Sequence, residues 1–132
     1  MVRKGIEQTI LEQLKNCQFK LFCDTCFADD FHWIIRGSSI LSGEYYGKEE
    51  FFNKVINRIN SKVLPGWTMN IRDSYLLDNT FIVEMVGSAN TINGKHYNNE
   101  YCWIMKFNEN SKIKCLIAYY DSLLVNQTLL DH

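Results

Sequence analysis

Residues 67–107, WTMNIRDSYLLDNTFIVEMVGSANTINGKHYNNEYCWIMKF, decide the architecture of this chain. Three runs rich in β-branched and aromatic residues are separated by the polar pairs Asp78-Asn79 and Asn93-Gly94, which reads as strand, turn, strand, turn, strand. Asn-Gly is the strongest of these signals, because both residues tolerate positive φ at a hairpin corner. After Asn108-Glu109-Asn110-Ser111 the run KIKCLIAYYDSLLV (112–125) reads as a fourth strand running almost to the end of the chain.

Upstream of this meander the period changes. Ile6, Ile10, Leu11 and Leu14 recur at helical spacing, which predicts an amphipathic helix over roughly residues 3–17. A second helix is expected over 18–27, closed by Ala28-Asp29-Asp30. FHWII (31–35) reads as a short strand, and Leu41–Gly47 as a glycine-punctuated loop. Phe51, Phe52, Val55, Ile56 and Ile59 make the apolar stripe of a third helix, which ends by Val63 before Pro65 and Gly66. Strands and helices do not alternate, so a doubly wound sheet is excluded. The expected fold is one α+β domain over residues 1–132. In it a cone-shaped, curved antiparallel sheet packs against three N-terminal helices and leaves an internal pocket.

Composition narrows the function. A chain of 132 residues and 15.5 kDa makes one domain with a substantial core. Its net charge of −1 and pI near 6.3 argue against a nucleic-acid partner, since such modules are usually basic. No run of apolar residues is long enough to span a membrane. With no visible secretion signal and an odd number of cysteines, reduced thiols in a cytoplasm are expected. Cys23 and Cys26 form a CxxC, but within a helical stretch and without a second ligand pair; a structural role is the expectation, with no metal and no cofactor. Eighteen rings, 14% of the chain, need a core, an interface or a cavity wall.

Period two places those rings. Phe31, Trp33 and Ile35 share one face of the first strand, with His32 opposite. Asn99, Tyr101, Trp103, Met105 and Phe107 share a face of the next-to-last strand, and Ile117, Tyr119 and Asp121 a face of the last. A bulge would shift that register. Asn99 is the telling position, a polar amide on an aromatic face that needs partners in the wall or in a ligand.

FADDFHWIIRGSS (27–39), SGEYYGKEEFF (42–52), NGKHYNNEYCWIMKF (93–107) and KIKCLIAYYDS (112–122) together resemble the SnoaL-like branch of the nuclear transport factor 2-like superfamily. The matching elements are Asp29-Asp30, Gly37, Gly43 to Glu49, Gly94 to Tyr101, and Tyr119-Tyr120-Asp121, in the family's order. The resemblance implies the cone fold over about residues 5–125 and a homodimer through the sheet's outer face. It does not imply one activity, because this scaffold hosts isomerases, cyclases, hydrolases and binding modules. Where the ketosteroid isomerases place their base, this chain has Ile34, Ile35 and Arg36, and Leu11 falls at the helix-one tyrosine. An Asp-Arg-Asp relay of the epoxide hydrolase kind is not matched. Cyclisation of the SnoaL kind leaves Asp121 as the acid/base, with His96 and His32 poorly placed beside it. Ala118 stands where the family carries Glu.

The expectation is therefore a small cytoplasmic protein that takes a small apolar or polyketide-like molecule into an aromatic pocket. Trp33, Asn99, Tyr101, Trp103 and Tyr119 would line it, and Asp121 would abstract a proton beside a carbonyl if the protein isomerises or cyclises its ligand. The alternative is a non-catalytic ligand-binding or protein-interaction module.

Overall fold

The computed structural model describes residues 2–130. Three helical stretches precede the meander: α1 (Ile6–Lys15), α2 (Phe19–Cys26), and a continuous turn of helix over 48–60. That last stretch begins as α3 (Lys48–Glu50), widens into a π-helix over Phe51–Ile56, and closes as α4 (Asn57–Asn60). The strands are β1 (Phe27–Ile35), β2 (Gly43–Tyr46), β3 (Thr68–Leu77), β4 (Thr80–Asn90), β5 (His96–Phe107) and β6 (Ile113–Tyr120). They form one sheet in the order β2-β1-β6-β5-β4-β3.

The hairpin chemistry read from the sequence is present. Leu77 pairs with Thr80 across Asp78-Asn79, where Asp78 takes φ 53°, and Asn90 pairs with His96 across a loop in which Gly94 takes φ 84°. A substituent-free Gly94 accepts that backbone without strain.

Four expectations are corrected. The sheet is mixed, because β1 runs parallel to β6; the chain leaves β1, crosses the helices and the meander, and returns beside it. β1 is longer than FHWII: it starts at Phe27, and the acid pair Asp29-Asp30 bulges outward between Phe27↔Ile113 and His32↔Cys115 instead of closing α2. Residues 43–46 pair with β1 as an edge strand. The last strand stops at Tyr120, and Ser122–Leu129 is a fifth helix, α5.

The core lies between the helices and the inner face of the sheet. Ile6, Ile10 and Leu14 of α1, Phe22 and Cys23 of α2, and Phe51 and Val55 of the π-helix meet Phe31, Trp33, Val83, Met85, Trp103 and Met105 from the strands. Phe27, Phe31, Phe51 and Trp33 make a continuous ring cluster, with centroids 3.9 Å apart for Phe27–Phe31 and 4.2 Å for Trp33–Phe51. Both CxxC thiols belong to this core. Cys26 Sγ donates to Gln13 Oε1 at 3.3 Å, and burial pushes both thiols up, away from the thiolate that redox or metal chemistry needs.

Candidate functional site

The inner face of β5 carries the residues the alternation predicts. Tyr97, Asn99, Tyr101, Trp103, Met105 and Phe107 are all buried, and Trp33 is buried opposite them on β1. Between the helices and this face sits a cavity of about 30 Å3, lined by Phe19, Ile56, Ile59, Asn60, Trp67, Met69, Tyr101 and Trp103. That is room for one or two waters. The wall joins the start of α2, the far half of the helical stretch, the residue before β3, and the floor of the sheet.

A polar chain runs beneath it. Tyr101 Oη donates to Tyr97 Oη at 3.2 Å, and Asn99 Nδ2 donates to the same hydroxyl at 3.2 Å. Burial raises both phenols above their ordinary 10.0, so each stays neutral. Asn99 is fully buried and its amide is engaged on both sides. Its Oδ1 accepts from Asp121 N at 2.9 Å, and its Nδ2 reaches Asp121 O at 3.4 Å. It is a clamp on the chain where β6 gives way to α5.

Of the sequence-predicted site residues, Tyr101, Tyr119 and Asp121 share one open groove of about 450 Å3 with Arg72, Glu84 and Glu100, apart from the small cavity. Tyr101 and Trp103 line the cavity; Trp33 and Asn99 share the inner face without lining it. The inner-face placement expected of Tyr119 and Asp121 is corrected: Tyr119 stands on the outer face, 47% exposed, and Asp121 is exposed at the rim, its Oδ1 accepting from Leu124 N as the N-cap of α5. The cause is a bulge. β5 and β6 pair Phe107↔Ile113 and then Lys106↔Cys115, so one extra residue, Lys114, reverses the face of everything after it. Leu116, Ala118 and Tyr120 turn inward instead. Tyr120 Oη meets Ser39 Oγ at 2.9 Å.

His32 faces outward as expected, 2.8 Å from Glu44 Oε1 and stacked on Tyr46. His96 lies exposed at the β4–β5 hairpin. Among the described residues the buried polar side chains, tyrosines aside, are Gln13, Ser39, Thr91, Asn99, Ser111 and Thr128. None is a carboxylate or an imidazole, so nothing in the interior provides a base of useful strength near pH 7. Sequence reasoning missed Trp67, Met69, Phe19 and the pair Ile56 and Ile59 as wall residues. Trp67 precedes its strand, so no periodicity marks its face.

The comparisons with known proteins bear on the fold. No family model and no curated protein matches the chain. Solved structures do match. A nuclear transport factor 2-like protein of unknown function from Cytophaga hutchinsonii is 22% identical, with 87% of this chain and 96% of that one covered and a TM-score of 0.64. A provisionally named SnoaL-like polyketide cyclase from Mesorhizobium loti is 16% identical over 90% of this chain and 99% of that one, with a TM-score of 0.73. A provisionally named isomerase from Bacillus subtilis is 14% identical over 95% and 90%, with a TM-score of 0.70. With its helices closing one face of a curved six-stranded sheet, and with these neighbours, the chain has the nuclear transport factor 2-like fold, in company with SnoaL-like proteins.

Proposed function

We propose that this protein is a binding domain for small apolar ring compounds, taken into the cavity between the helices and the sheet. The observation that carries the reading is the wall itself: Phe19, Ile56, Ile59, Met69 and Trp103 surround a residual space whose lining holds no carboxylate, imidazole, lysine or arginine. Such apolar walls with few polar groups are the usual composition of ligand pockets. Binding without built-in proton abstraction fits Asp121, whose carboxylate caps a helix at the rim. In its closed form the cavity holds only one or two waters, so a ring compound enters by displacing the helical wall over 51–60. The π-helix in that wall is a rare conformation and a frequent companion of functional sites. The five unpaired thiols support a reducing cytoplasmic setting, and no described helix is long and apolar enough to cross a membrane.

Ethylbenzene is the direct probe. Titration should change tryptophan fluorescence saturably, since Trp67 and Trp103 line the cavity, and Ile56→Trp, which fills the space from its half-buried rim, should abolish the change. Absence of a saturable response in the unmodified protein refutes the reading.

A second surface supports a second partner, another copy of this chain. On the outer face, Ile34 pairs with Ile117, Ile117 with Ile104, Ile104 with Ile82, and Ile82 with Tyr75. The apolar row crosses five strands. Asp73 and Glu84 flank it on one side and Lys106 on the other. A two-fold axis along the row sets the acids of one copy against the lysine of the next, which is self-complementary in the sense an isologous dimer requires.

A further inference from the structure

The cavity wall contains one donor without an acceptor. Trp67 Nε1 is buried and makes no hydrogen bond. Most buried donors are paired, and an unpaired one costs about as much as a lost bond. The other polar wall groups are accounted for: the Tyr101 hydroxyl donates to Tyr97, and Asn60 is exposed at the rim, within reach of water.

The position of the indole follows from Gly87, a buried residue on β4 with an ordinary negative φ, so glycine is there for space and not for backbone freedom. A β-carbon on Gly87 would stand 3.3 Å from Trp67 Cζ2, 3.0 Å from Tyr101 Cε2 and 3.4 Å from Met69 Cε. Cζ2 is bonded to the ring carbon that carries Nε1. The missing side chain of Gly87 thus leaves the room that this part of the indole occupies, beside Tyr101 and Met69, which line the cavity together with Trp67.

We infer that Trp67 Nε1–H is the hydrogen-bond anchor of the cavity, and that the ligand is a neutral ring compound carrying an acceptor oxygen, such as an aryl ketone. The inference rests on the cavity reading above and adds its chemical selectivity. Indole is a donor only, so the ligand atom must be an acceptor. No lysine or arginine lines the wall, so a carboxylate would be buried without a counter-charge, at a cost a neutral carbonyl avoids. The anchored oxygen would lie against the sheet, with the ring between Phe19, Ile59 and Trp103.

Acetophenone and ethylbenzene, near-equal in shape, test this on the full chain. In the unmodified protein acetophenone should move the Trp67 indole proton resonance downfield while the Trp33 indole, also unpaired but outside the cavity, stays in place. Trp67→Phe should change the ratio of the two dissociation constants about tenfold against acetophenone, the effect of one hydrogen bond to a buried donor. Equal binding of both compounds to Trp67→Phe and unmodified protein, with an unmoved Trp67 resonance, overturns the anchor while leaving the apolar cavity standing. Binding of neither compound overturns the cavity and the anchor together. Tight benzoate binding overturns the selectivity for neutral ligands.

Discussion

Asn99 shows how one residue can look catalytic and be architectural. Its amide holds the backbone N–H and C=O of Asp121 and also feeds the Tyr97 hydroxyl. Asn99→Leu strips the part-buried N–H and C=O of Asp121 of their partner and leaves the buried Tyr97 hydroxyl with Tyr101 alone, and urea unfolding should show a loss of about 2 kcal/mol. Asp121→Ala removes only a helix cap and should cost about 1 kcal/mol, with ethylbenzene affinity unchanged. A large loss of affinity in that variant would return Asp121 to the site. The buried phenols make a prediction in pH. Tyr97, Tyr101 and Tyr120 are all raised by burial, so above the ordinary 10.0 the unfolded chain releases protons that the folded chain keeps. Stability is fully present below that pH and falls as pH rises beyond it. Melting temperature followed from pH 8 into the alkaline range should fall steeply above about 10, and Tyr101→Phe should soften the fall.

Elements differ in how far their sequence betrays them. β3, β4 and β5 were readable because their signals are local: alternation within each run, and turn residues such as Asp78 and Gly94 that accept positive φ. The inner face of β5 followed from period two alone. β2 escaped because four residues at a sheet edge carry too little pattern, and its pairing with Trp33 and Ile34 is a tertiary fact. α5 escaped because Leu123, Leu124 and Val125 continue the apolar run of β6. Only Asp121-Ser122, a capping pair, marks the change. The face that Tyr119 takes turns on one residue, since the bulge at Lys114 is decided by the pairing of β5 with β6 and not by either strand alone. The π-helix was read as an ordinary helix because Phe51, Val55 and Ile59 keep a four-residue spacing that suits either form. As the wall that moves to admit a ligand, residues 51–60 should exchange their amides with solvent faster than β4 and β5, and ethylbenzene should slow them. Exchange as slow as the central strands would remove this segment as the moving wall.

At the scale of the molecule, the curved sheet turns its two faces to different purposes. The inner face is filled by rings, so the aromatic surplus is mostly core. The outer face keeps Ile34, Ile117, Ile104 and Ile82 in line, half-buried, with Tyr75 and Tyr119 more open beside them. A row of this kind across the middle of a sheet is larger than the scattered apolar residues of a monomer surface. Because it crosses five strands, its removal from water needs a flat partner, and a second copy offers the same row. Ile104→Glu places a charge at its centre without touching the core, as Ile104 points away from Trp103 and Met105. Light scattering should report a dimer for the unmodified protein and a monomer for Ile104→Glu. Lys106→Glu should weaken the dimer more at low salt than at high salt, because it sets like charges against Glu84 across the axis. A monomeric unmodified protein would refute the dimer outright. A dimer indifferent to both substitutions would move the contact elsewhere, leaving the row without a partner.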